Sequence, residues 1–136
     1  MSADVIPFPA RPPATDPVEA TWTTRSGLLY VRTQVDESGW AIELDGELDR
    51  SNVQDLERDI LLAEAALAQS ITIDLRGLVF MDSGGLRAIQ AAHRRIRGGR
   101  LRLIPGPRAV QQVFRLAGLE GDLPFQVPPA RPSPAA

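Results

Sequence analysis

Ile71-Thr72-Ile73-Asp74-Leu75-Arg76-Gly77-Leu78-Val79-Phe80-Met81-Asp82-Ser83-Gly84-Gly85-Leu86 passes from a strand pattern to a helix pattern, and that change decides the fold class. Ile71–Leu75 is a short run rich in β-branched residues, as a buried strand requires. From Gly84 to Arg97 the apolar residues Leu86, Ile89 and Ile96 recur at helical spacing instead. Arg94, Arg95 and Arg97 in the last turn suit the negative end of a helix dipole, and Gly98-Gly99 stops the helix. Arg100–Ile104 then returns to a strand. Two strands joined by such a helix pair in parallel, through a right-handed crossover.

The pattern extends in both directions. Upstream, Leu28–Val35 and Trp40–Leu44 read as strands joined by the turn Glu37-Ser38-Gly39. Ser51 is the predicted cap of a helix, with Gln54 three residues on completing a capping box. Val53, Leu56, Ile60 and Leu67 form its apolar stripe. Downstream, Pro107 suits the first position of a third helix, which carries Val110, Val113, Phe114 and Ala117 on one side. Leu123–Val127 reads as a short edge strand. The order β-β-α-β-α-β-α-β predicts an α/β fold, one mixed sheet with helices packed on it.

A chain of 136 residues suits one domain, and 43% hydrophobic residues suffice for its core. Five of the twelve prolines fall in the first 17 residues and four in the last nine. Residues 1–21 and 128–136 are therefore expected to be flexible tails around a domain at 22–127. No apolar run reaches the roughly 18 residues of a membrane span. Met1–Pro17 has no apolar stretch of the kind a secretory signal needs. Cysteine is absent, which excludes disulfides and thiolate metal sites and fits a cytoplasmic protein.

The net charge of −2 conceals an asymmetry. Asp36–Glu64 holds ten acidic residues against two arginines, and Ser83–Leu119 holds eight arginines and no acid. Folding is expected to interleave the halves and offset most of this charge. The arginines are not interleaved with aromatics, which form only 5% of the chain. A solvated face, or a surface for an acidic partner, is thus favoured over a nucleic-acid site.

Enzyme chemistry finds little support. Ser83 sits where nucleophile elbows sit, but the G-x-S-x-G pattern is missing. The one histidine, His93, lies ten residues further along the same predicted helix, roughly 15 Å away. It cannot serve Ser83 as a base and reads as a boundary residue beside the apolar stripe. The best carboxylate pair, Asp74 and Asp82, is expected to flank one loop at the sheet edge, without a histidine or cysteine to complete a metal site. Gly84-Gly85 is no phosphate-binding loop, and no cofactor is expected. What remains is Ser83 at a helix N-terminus, where backbone N–H groups and the dipole favour an added phosphate. The alternative is that Ser83 is an ordinary cap.

Gly46-Glu47-Leu48-Asp49 and the longer stretch Asp74–Leu86 together resemble the anti-sigma factor antagonists, which are built on the STAS domain. The first is similar to that family's G-E-L-D turn. The second is similar to its pattern D-L-x-x-(apolar)-x-(apolar)-(apolar)-D-S-(S/T)-G-(apolar). The resemblance covers most of Trp22–Phe125. It implies a binding protein, not an enzyme, whose partner is an anti-sigma factor, often a serine kinase of the histidine-kinase-like ATPase fold. Binding displaces a sigma factor, and phosphorylation of a loop hydroxyl ends the binding. Carried onto this chain, the resemblance makes Ser83 the phosphoacceptor candidate and Asp49, Asp82, Ser83, Gly84 and Gly85 the partner-binding set. Leu86 begins the helix beneath the loop. The chain departs from the pattern at Gly84, where the family commonly has a second Ser or Thr. A close approach by a partner's backbone would account for a glycine there. A STAS subunit or scaffold in a transport or stress-sensing assembly is the alternative function.

Overall fold

The computed structural model describes residues 20–126. The chain runs β1 (Ala20–Ser26), β2 (Leu29–Asp36), β3 (Gly39–Leu48), α1 (Val53–Ala65), β4 (Ile71–Met81), α2 (Ser83–Arg95), β5 (Leu101–Ile104) and α3 (Arg108–Leu116). The five strands form one sheet in the order β1-β2-β3-β4-β5. β1, β2 and β3 pair antiparallel, and β3, β4 and β5 pair parallel. This is the α/β fold with a mixed sheet that the sequence predicts.

Its two ends differ from the prediction. β1 was not anticipated, because Ala20-Thr21-Trp22-Thr23-Thr24-Arg25-Ser26 offers one large apolar residue and so no contrast between faces. The strand begins at Ala20, so the first two described residues belong to the domain. The expected last strand reduces to one parallel bridge between Leu103 and Phe125. Pro124 has no N–H to extend it. Val127 and the rest of the proline-rich ends lie outside the described residues.

The core lies on one face of the sheet. Leu29, Val31, Ile42, Leu44, Ile71, Ile73, Leu101 and Leu103 are buried there beneath Leu56 and Ile60 of α1, Ile89 and Ala92 of α2, and Val110 and Phe114 of α3. On the opposite face Arg32 lies 3.7 Å from Glu43, and Arg76 forks onto Asp74 at 2.7 Å. No helix covers that face among the described residues.

α1 departs from its prediction at both ends. Its cap is Asn52, not Ser51, and the Asn52 side chain makes no cap hydrogen bond. The Ser51 hydroxyl instead donates to Asp49 Oδ1 at 2.6 Å, so the capping box does not form. At the other end the helix stops at Ala65, and Leu67 turns outward in a left-handed conformation with φ 57°. Leu67 is 81% exposed and does not join the apolar stripe; Ala68 turns in toward the core instead.

Asp59 of α1 is buried and was not anticipated in the core. Its Oδ2 accepts from Thr33 Oγ1 at 2.6 Å and from Trp22 Nε1 at 3.1 Å. One carboxylate thereby ties β1 and β2 to the helix above them. Asp59→Ala would strand two donors and is expected to cost about 2 kcal/mol of stability. Asp59→Asn keeps an acceptor and is expected to recover part of that. Urea unfolding checks this, and an alanine variant as stable as wild type would refute the role.

Candidate functional site

β3 and β4 run side by side in the same direction and end together, with Leu48 opposite Met81. The turn after β3 therefore lies beside the start of α2. β4 reaches this edge by using one residue more than β3 at two places, between Asp74 and Gly77 and between Leu78 and Phe80. Such bulges re-aim side chains near a strand's end. Leu78 and Met81 point into the core, while Val79 and Phe80 are 65% and 46% exposed just before the helix.

The turn is held by Asn52, which is buried. Its Nδ2 donates to the Glu47 carbonyl and its Oδ1 accepts from the Asp49 N–H, both at 2.9 Å. Asp49 Oδ1 accepts from the Ser51 hydroxyl at 2.6 Å and from the Ser51 N–H at 2.9 Å. The Ser51 hydroxyl first, and then its N–H, hold the Asp49 carboxyl below its ordinary pKa. Gly46 has φ +99°, and an added Cβ would lie 2.0 Å from the Leu28 carbonyl oxygen. That glycine lets β3 pass close to the Leu28 carbonyl.

Asp82 is extended and caps α2, its Oδ1 accepting from the Gly84 N–H at 2.7 Å and the Gly85 N–H at 3.3 Å. Its Oδ2 also accepts from the Arg50 N–H at 3.3 Å, and its own N–H donates to the Leu48 carbonyl at 3.1 Å. The carboxylate therefore joins the two halves of the site as well as capping the helix. Ser83 is not the cap. It is the first residue of α2, exposed, and its hydroxyl has no protein partner among the described residues.

Gly84 and Gly85 are glycine for different reasons. A Cβ on Gly85 would meet Leu48 Cδ2 and Met81 Cγ, each at 2.7 Å, so this residue is buried beneath the helix start. Its place is set by packing inside this chain. A Cβ on Gly84 would meet Arg50 Cγ at 2.8 Å and Arg50 Cα at 3.2 Å. The close approach at Gly84 thus comes from this chain. Asp49, Asp82, Ser83 and Gly84 are brought together at the surface, and Leu86 is the fourth residue of α2, half-buried. Arg50 and Asn52 belong to the site and were not anticipated. The Asp-x-Ser-Asn run, a common source of side-chain-to-backbone bonds, was the available signal.

The other candidates lie apart. β4 runs unbroken from Ile71 to Met81, so Asp74 and Asp82 flank no loop and lie on the order of 20 Å apart. Among the described residues no three His, Asp or Glu side chains converge as metal ligands. His93 is half-buried near the far end of α2. Of the arginines, Arg95 forks onto Glu64 at 2.8 Å, joining the basic half of the chain to the acidic one. Arg115 pairs with Glu120, and Arg100 Nη1 donates to the Ala68 carbonyl. No helix of the described residues is long and apolar enough to cross a membrane.

A model of the STAS domain family matches residues 30–129. An anti-sigma factor antagonist from Mycobacterium paratuberculosis has a similar structure, with a TM-score of 0.61 at 19% identity over 79% of this chain and 84% of that one. The anti-sigma factor antagonist SpoIIAA in its unphosphorylated form is also similar, with a TM-score of 0.52 at 22% identity over 79% of this chain and 89% of that one.

Proposed function

Since this chain belongs to the STAS domain family, we propose that it works by binding, as a bacterial, cytoplasmic anti-sigma factor antagonist regulating transcription. The observation that carries the reading is the exposed Ser83 hydroxyl, without a partner among the described residues, beside the Asp49 turn where β3 and β4 end. Two loops tied together by Asp82 present a pre-formed surface, and rigid surfaces bind with little ordering cost. Val79 and Phe80 add apolar area next to it, as the centre of a protein interface requires. The partner is an anti-sigma factor, a serine kinase of the histidine-kinase-like ATPase fold. Phosphorylation of Ser83 ends the binding and returns the partner to its sigma factor. Asp82 and Asp49 differ in what they do: Asp82 holds the site, and Asp49 faces the partner.

Capture of partners from the source cells, followed by calorimetric titration of the captured protein, tests this. An ATPase-fold kinase is expected. Asp49→Ala is expected to weaken its binding about tenfold, roughly 1.4 kcal/mol, with an unchanged melting temperature. Asp82→Ala is a poorer probe, since losing the cap alone costs about 1 kcal/mol of stability. Unchanged affinity in the Asp49 variant would move the interface elsewhere. Capture of a transporter subunit instead would favour a scaffold role.

A further inference from the structure

The backbone gives Gly84 no reason to be glycine. It lies in the first turn of α2, outside the left-handed region, where a residue with a side chain is ordinarily better than glycine. What surrounds it does give a reason. Arg50 Cγ lies 2.8 Å, Asp82 Oδ1 3.1 Å and Arg50 Cα 3.2 Å from where a Cβ would stand. Arg50 is held in this place through its backbone, because its N–H donates to Asp82 Oδ2. The side chain cannot be credited to an ion pair, since Arg50 makes none among the described residues. It lies over the helix start and fills the volume that a side chain at position 84 would need.

We propose that Arg50 decides which position of this loop can carry an acceptor hydroxyl. While Arg50 occupies its place, position 84 is restricted to glycine, and Ser83 is the one acceptor. The chain's departure from the family pattern then has its cause two residues before Asn52 and not in the loop itself. The assignment of an acceptor rests on the function proposed above; the coupling of positions 50 and 84 does not. In the transfer, Ser83 Oγ attacks the γ-phosphorus of ATP, the bond to the ADP oxygen breaks, and the hydroxyl proton passes to a base of the kinase.

The test uses four full-length proteins: wild type, Arg50→Ala, Gly84→Ser and the double variant. In thermal unfolding, Gly84→Ser is expected to lower the melting temperature of the otherwise wild-type protein. In the Arg50→Ala background, which removes the Cγ contact and keeps those of Asp82 Oδ1 and the residue-50 Cα, the same change is expected to cost clearly less. The departure from additivity is expected to be about 4 °C or more. Additive shifts would overturn the coupling, and with it the proposal. In a second arm, each protein is incubated with ATP in a soluble extract of the source cells and its phosphates are mapped by mass spectrometry. Phosphate is expected on Ser83 of wild type, and on position 84 only when Arg50→Ala accompanies Gly84→Ser. Ready phosphorylation at position 84 in the Gly84→Ser single variant would also overturn the proposal. Absence of phosphate from all four proteins would count against the phosphorylation switch, and the unfolding data would still decide the coupling.

Discussion

Phe114→Ala is expected to lower the stability of the domain by about 3–5 kcal/mol, the largest loss from any single truncation in the core. Phe114 is fully buried and is the bulkiest of the fully buried side chains. It stands on α3, a nine-residue helix, which is too short to persist without packing. Its ring meets Phe125 edge-on, with centroids 5.1 Å apart. That contact contributes about 1 kcal/mol beyond burial, so the greater part of the loss comes from the cavity and the lost transfer energy. Phe125 in turn seats the only bridge to the outer edge of β5 among the described residues. The loss should therefore show twice: in the urea midpoint of the whole domain, and as faster hydrogen exchange at the Gln126 N–H, which donates to the Leu103 carbonyl at 2.7 Å. A variant within about 1 kcal/mol of wild type would show that α3 closes the cavity by sliding, and would refute this account.

Ser83→Asp is expected to separate binding from stability. A carboxylate in the first turn of a helix faces the positive end of the dipole, so the fold should gain about 0.3–1 kcal/mol or hold level. Partner affinity should fall at least about tenfold. The reason lies in how the neighbouring charges are spent. Asp82 is already committed to the Gly84, Gly85 and Arg50 N–H groups, and the exposed Arg50 side chain beside Gly84 offsets only part of a new charge. Asp49 adds a second negative group on the same surface. The new charge is therefore met by repulsion within the surface and by desolvation at the partner, while the core beneath is untouched. Ser83→Ala is expected to bind as wild type does. Thermal unfolding paired with calorimetric titration reads both effects. Wild-type affinity in the aspartate variant would sink the phosphorylation switch, whatever the melting temperature.

The sheet and helices were legible where side chains of opposite character alternate or recur. Ile71, Ile73 and Leu75, Ile89 and Ile96, and Val110 and Phe114 declared themselves that way and are buried, whereas Leu86 and Val113 are half-buried and Ala117, past the end of α3, is exposed. β1 did not, because four of its seven residues are Thr or Ser. Its place is set by distant partners, the Asp59 carboxylate above all, and no local pattern records them. The site was legible in the same uneven way. Asp49, Asp82 and Ser83 follow from a motif at a strand-to-helix change. The task of each does not follow from it, because Ser and Asp compete for one cap and only the geometry awards it to Asp82. Gly84 and Gly85 look alike in sequence. Gly85 is constrained from below by Leu48, 37 residues away, and by Met81, four residues away; Gly84 is constrained from the side by Arg50, 34 residues away.

The pairing of Leu48 with Met81 has a consequence for anything that recognises this protein. The two turns sit together because two parallel strands end at the same level, with a whole crossover helix lying between them in sequence. No short peptide contains both, and a segment cut out around Ser83 would lack Asp49, Arg50 and the hydrogen bonds that hold the helix start. An enzyme that modifies Ser83 through this surface must therefore read a three-dimensional epitope. Such an enzyme would ignore the nascent or denatured chain and act on folded copies alone.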